Sequence, residues 1–148
     1  MIDLNVGIVV ELTHRLLPSI LEARTGGILN VASTAAYQPG PGAAVYYATK
    51  AFVLSFSEAL CEETRRQSIT VTALCPGPTA TEFFALAKME RVWLRALSKP
   101  MDADKVAATG WRAFRQGKRT VIPGTMNKVV AGVARVMPRR LLLPVVKF

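Results

Sequence analysis

Histidine and cysteine are scarce in this chain. One histidine, His14, and two cysteines, Cys61 and Cys75, stand among 148 residues with no CxxC or HxxxH spacing, so no metal centre is expected and His14 reads as a polar helix position. The cysteines sit in apolar surroundings with no secretory leader pattern ahead of them, which points to a reducing, cytoplasmic setting. Every apolar run is broken by charge, proline or glycine. None reaches the ~18 residues of a membrane span, and a soluble protein is expected. Acid is nearly missing from the last third: residues 101–148 hold ten Lys/Arg against two acids, whereas residues 1–100 hold nine against eight. The net charge of +9 therefore belongs to the C-terminal third. No zinc knuckle, RNP signature or basic-aromatic stripe accompanies it, so nucleic acid is not an expected partner.

What is present suffices for one ordinary core. A hydrophobic share of 51% excludes a disordered or low-complexity chain, and 148 residues make one domain. Apolar side chains at Val6, Val9, Leu12, Leu16, Leu17 and Ile20 predict a helix over about 4–23, ended by Gly26-Gly27. Ile28–Ala32 reads as a short buried strand. Residues 33–45, with Pro39-Gly40-Pro41-Gly42, read as a loop. A second helix follows over about 46–66, with Phe52, Val53, Phe56 and Leu60 expected on its inner face. Ile69–Leu74 is a second strand, stopped by Pro76-Gly77-Pro78.

Residues 81–100 are helical in pattern but too apolar for one face. Asp102 caps a helix over 103–115 that places Ala107, Trp111 and Phe114 on one side. Thr120–Ile122 is a third strand, and 125–137 returns to helical spacing through Met126, Val129, Val130, Val133 and Val136. The order predicts an α/β fold: a partial, Rossmann-like, doubly wound parallel sheet of about three strands with flanking helices. Residues 1–137 form its body and 138–148 a basic-apolar tail.

Tyr46 and Lys50 stand four residues apart on one helix, so their polar ends can approach the same point. Bringing a phenol from a pKa near 10 to near 7 takes roughly 4 kcal/mol. An ammonium about 5 Å away contributes roughly 3 kcal/mol at an effective dielectric of about 20. The size fits, yet Tyr-x-x-x-Lys alone is a weak signal. Context strengthens it: Ser33 lies at a strand end 13 residues upstream, and a Pro-Gly turn follows the next strand.

With Gly27-Ile28-Leu29-Asn30-Val31-Ala32-Ser33, Tyr46-Tyr47-Ala48-Thr49-Lys50-Ala51 and Cys75-Pro76-Gly77-Pro78-Thr79-Ala80-Thr81 in order, the chain resembles the classical short-chain dehydrogenase/reductase family. The resemblance implies an oxidoreductase interconverting a carbonyl and an alcohol with NADP or NAD. It gives Tyr46 the role of general acid/base, Tyr47 being the competitor without the three-residue gap to Lys50. Lys50 would lower the tyrosine pKa and bind the nicotinamide ribose, Ser33 would polarise the substrate oxygen, and Asn5 would hold a water of the proton relay. Asn5 also reads as a simple polar residue near a helix end. Pro76, Gly77 and Thr79 would line the nicotinamide, Thr79 standing where the family commonly has an aliphatic residue, and Thr81 would contact the carboxamide or the phosphate region.

The resemblance covers the catalytic part only. The family's Thr-Gly-x-x-x-Gly-x-Gly turn and its Asn-Asn-Ala-Gly segment have no counterpart in this sequence, which takes away several charge-assisted hydrogen bonds of about 1.5–3 kcal/mol each. The apolar stretch 83–97 matches the substrate lid and suggests a lipophilic substrate. Three readings follow. The first is an oxidoreductase. The second is a catalytically silent fragment acting as a dimerisation or interaction module, since the helices at 4–23 and 46–66 match those through which family members form homo-oligomers. The third is a peripheral membrane contact through 138–148, less favoured than packing of that tail on the domain.

Overall fold

A computed structural model describes residues 1–81 and 100–146. The lid stretch 83–97 and the last two residues lie outside the described residues. A π-helical turn, Asp3–Gly7, runs into α1, Ile8–Ala23. Arg24 in the left-handed conformation ends α1, and Gly26 and Gly27 turn the chain into β1, Gly27–Val31. A 3-10 turn, Thr34–Tyr37, precedes α2, Ala44–Glu63, and β2, Thr70–Leu74. Beyond residue 100 come α3, Ala103–Arg115, β3, Thr120–Val121, α4, Thr125–Val136, and α5, Arg139–Val146. Asp102 caps α3 as expected, accepting from the Lys105 N–H at 3.0 Å.

The sheet is parallel in the order β1-β2-β3, with Gly27 opposite Thr70 and Val31 opposite Leu74. β2 is central and buried from Val71 onward, as a strand covered on both faces must be. Ala73 and Cys75 pack with Val53 and Leu54 of α2 and with Val9 of α1. Leu74, pointing the other way by strand alternation, meets Gly110 of α3, where a β-carbon would come within 2.7 Å of its Cδ2. The helices α1 and α2 thus cover one face and α3 the other. At β1, Asn30 faces α2 and donates to Ser57 Oγ at 2.9 Å.

Helix positions follow the sequence pattern, and the inner faces follow it in part, Val53 and Leu60 of α2 being buried as expected. The buried residues of α2 are Tyr47, Thr49, Val53, Leu54, Ser57 and Leu60, while Phe52 is exposed and stacks on Phe56 at its flank. In α3, Val106, Gly110 and Ala113 are buried and Trp111 is exposed. In α4, Asn127, Ala131 and Ala134 are inside while Met126, Val129, Val133 and Val136 face outward. Leu12 and Leu16 of α1 are also exposed. Small side chains sit beneath these helices because they let helix and sheet approach closely. The tail forms α5, whose Leu142 and Val146 are buried against Ala134, Met137 and Tyr37. The helical segment Asp3–Ala23, of mean hydropathy 1.2, is long and apolar enough to cross a membrane by length and composition alone.

Candidate active site

The C-terminal ends of the strands open into a cavity of about 580 Å³, where open α/β sheets bind ligands. Asn5, Ser33, Tyr46, Lys50, Pro76, Gly77, Thr79 and Thr81 all line it. Leu4, Ala35, Pro78, Val106 and Ala107 make much of the remaining wall apolar.

Ser33 follows β1 directly and caps the 3-10 turn. Its Oγ accepts from the Ala35 N–H at 3.1 Å and donates to the Pro76 carbonyl at 3.4 Å. The Thr34 N–H donates to the same carbonyl at 2.9 Å. The serine loop and the Pro-Gly turn are therefore fastened together. On α2 Tyr46 lies near enough to Ser33 for the serine to favour its ionised form, and the Tyr46 and Tyr47 rings meet edge to face at 5.8 Å. Tyr47 instead packs on Gly40, where no β-carbon could fit.

Lys50 Nζ donates to the Val31 carbonyl at 2.9 Å and lies 6.0 Å from the Tyr46 ring centroid. The Ala32 N–H donates to Leu74 O at 2.8 Å, so strand alternation turns the Val31 carbonyl away from β2. The ammonium satisfies an acceptor on the outer edge of β1. Burial pushes Tyr46 above its ordinary value, partly offset by the Ser33 hydroxyl. Burial pulls Lys50 down, opposed by the nearby Cys75. The expected lowering of Tyr46 by Lys50 is thus not the direction in this arrangement. Desolvation of the phenol dominates while the ammonium is engaged by Val31.

Asn5 sits in the π-helical turn, a conformation frequent at functional sites. Its Nδ2 donates to Thr49 Oγ1 at 3.2 Å, and Thr49 Oγ1 donates to the Tyr46 carbonyl at 2.9 Å. This chain joins the start of the first helix to the turn of α2 that carries Tyr46. Thr49 was not singled out from the sequence, although it stands inside the Tyr-x-x-x-Lys segment.

The Pro-Gly turn is braced from the C-terminal region. Thr79 Oγ1 donates to Gly77 O at 3.0 Å. The Met101 N–H donates to Pro78 O at 2.9 Å, and the Ala80 N–H to Met101 O at 2.8 Å. Asn127 of α4 lies against Gly77 so closely that a β-carbon there would collide with its carboxamide. Asn127 Nδ2 donates to Pro123 O at 2.8 Å, and its buried Oδ1 has no partner among the described residues. No spacing in the sequence marks Asn127.

A parallel sheet with helices on both faces thus gathers a Tyr-x-x-x-Lys helix, a serine at a strand end and a Pro-Gly turn around one cavity. The family model for short chain dehydrogenase matches residues 1–91, and the chain belongs to that family. It is 37% identical over 91 residues to a very-long-chain 3-oxoacyl-CoA reductase of Laccaria bicolor, covering 62% of this chain and 25% of that protein. It is 45% identical over 84 residues to a sulfoacetaldehyde reductase of Chromohalobacter salexigens, covering 56% and 33%. A short-chain dehydrogenase from Sphingobium yanoikuyae in complex with NADPH superposes with a TM-score of 0.75 at 26% identity, over 93% of this chain and 56% of that one. The chain spans a quarter to a third of the length of these curated relatives.

Proposed function

We propose that this chain contributes the catalytic part of an NAD(P)-dependent oxidoreductase that interconverts a carbonyl and an alcohol. The convergence of Tyr46, Ser33 and Lys50 on one cavity supports this reading most directly. Bound at the cavity, the nicotinamide would supply or accept the hydride. The donor set fits its riboside end: Lys50, Thr79 and Thr81, an ammonium and two hydroxyls, line the cavity. Among the described residues no glycine-rich strand-to-helix turn faces the cavity to hold a pyrophosphate.

In the reducing direction Tyr46 Oη gives its proton to the carbonyl oxygen while Ser33 Oγ donates to the same oxygen as charge develops. Lys50, when its ammonium leaves Val31 for the ribose, brings positive charge toward the phenol and counters the effect of burial. Asn5, through Thr49, holds the backbone of α2 under Tyr46. The apolar lining supports a lipophilic substrate.

A second reading rests on the exposed Ile8, Leu12 and Leu16 of α1 with Val45 and Phe52 of α2. A silent chain could use that face to pair with another copy, and an active one could form its homo-oligomer there. Titration with NADPH, followed by fluorescence, separates the readings. Binding together with reduction of a long-chain ketone, the latter lost in Tyr46→Phe, supports the enzyme. A dimer that binds neither NADPH nor NADH supports the interaction module.

A further inference from the structure

The outward side of the C-terminal helices is apolar, cationic and free of acid. Met126, Val129, Val133 and Val136 of α4 are exposed, Val136 to 81%. At about 100° of rotation per residue these four fall within roughly a quarter of the helix circumference. Their arc adjoins the buried face through Val130 and Met137, which are half-buried. Lys128 and Arg135 lie on the opposite flank of the same helix. In α5, Leu142 and Val146 are committed to the core. Its Leu141, Leu143 and Val145 remain outside, beside Arg139 and Arg140.

No Asp or Glu occurs in the sequence after Asp104. Lys128, Arg135, Arg139 and Arg140 have no carboxylate partner among the described residues. Two copies meeting through this face would bring like charges together without an acid to separate them. A surface carrying negative headgroups over a hydrocarbon layer matches both features, the cations taking the headgroups and the valines the boundary beneath them.

We propose that the outer face of α4 and α5 docks on an anionic lipid bilayer. The contact is peripheral, since neither helix has the length to span. It does not depend on the redox reading, because no cavity residue takes part. The same helices also touch the site from within: Tyr37, on the turn that follows Ser33, packs against the cluster of Ala134, Leu142 and Val146.

The test is co-sedimentation of the full chain with phosphatidylcholine vesicles and with 70:30 phosphatidylcholine:phosphatidylserine vesicles, at 50 and 500 mM salt. The expected result is recovery with the anionic vesicles at low salt, at least ten-fold weaker binding to the neutral ones, and release at high salt. Val133→Glu/Val136→Glu and, separately, Arg139→Ser/Arg140→Ser should each weaken anionic-vesicle binding at least ten-fold with the circular dichroism unchanged. If the first pair unfolds the chain, the second, which alters exposed charge alone, decides. Absence of binding at 50 mM salt overturns the proposal, as does equal binding to both vesicles. Binding that survives both variants overturns it as well and moves the contact elsewhere, α1 included. A shift from dimer to monomer in the variants with vesicle binding unchanged assigns the face to a second copy instead.

Discussion

Residues 1–81 and 100–146 build one sheet but use their side chains differently. In the first region polar groups converge: Asn5 bonds Thr49 and Thr49 the Tyr46 carbonyl, Lys50 bonds the Val31 carbonyl of β1, and all but Thr49 line the cavity together with Ser33. In the second region what reaches the site does so through the backbone hydrogen bonds of Met101 and the packing of Asn127 against the Pro-Gly turn. The family model ends at residue 91, whereas the NADPH-bound Sphingobium structure superposes on 93% of the chain. The fold therefore continues beyond the stretch that the family model matches. Chemistry restrains side chains one by one in the first region, while packing in the second restrains only shape and volume.

The largest expected effect lies in the first region. Under the redox reading, Tyr46→Phe lowers kcat by about 10²–10⁴-fold through loss of the proton donor, with nucleotide affinity held, as stopped-flow reduction and NADPH titration would report. An equal loss from a substitution confined to α4 would erase the contrast between the regions.

The link between the two regions can be measured at Gly77. Gly77→Ala drives a methyl into Asn127 and is expected to destabilise by about 1–3 kcal/mol. Asn127→Ala makes room while losing the bond to Pro123, so the double variant should fall short of the sum by about 0.5–3 kcal/mol. Urea unfolding of the four proteins gives the coupling. Strict additivity would mean that the C-terminal region does not brace the turn.

A pH effect belongs to the first region's core. Burial raises the Cys75 thiol from its ordinary 9.0 to about 11. A group whose folded pKa is raised gives stability that is intact below its unfolded value and is lost as pH rises through the folded one. Stability is therefore expected to fall between pH 9 and about 11, with Tyr46 and Tyr47, also raised by burial, adding to the decline above 10.0. Cys75→Ala should flatten the urea midpoint against pH over that window, relative to the parent. An unchanged slope would show that the tyrosines alone carry it.

The sequence made the strands and the Asp102 cap legible, and the eight residues it singles out line one cavity, because strand ends and turns carry their own chemistry: Ser33 closes β1 and Pro76-Gly77 closes β2. It located only part of the inner faces: Val53 and Leu60 of α2 are buried as expected while Phe52 is exposed, and the apolar spacing of α3 and α4 does not mark their buried side. Helical periodicity reports the spacing of apolar residues, not which stripe is inside, and these helices place Ala, Gly, Ser and Thr inward. Asn127 and Thr49 were illegible as site elements for a related reason: their roles arise from contacts with residues about fifty positions away or one turn back, which no local pattern encodes.

The same misreading yields the smallest prediction. Trp111 is the largest side chain of α3, yet it is 57% exposed and contacts Phe114 at 5.4 Å between ring centroids. Its neighbour Gly110 faces Leu74 across the sheet. Trp111→Ala is therefore expected to cost only about 0.5–1.5 kcal/mol, the range of one aromatic pair, rather than the ~3–5 kcal/mol of a buried tryptophan. A thermal melt distinguishes the two. A loss in the larger range would mean that Trp111 is covered in solution by something beyond the described residues.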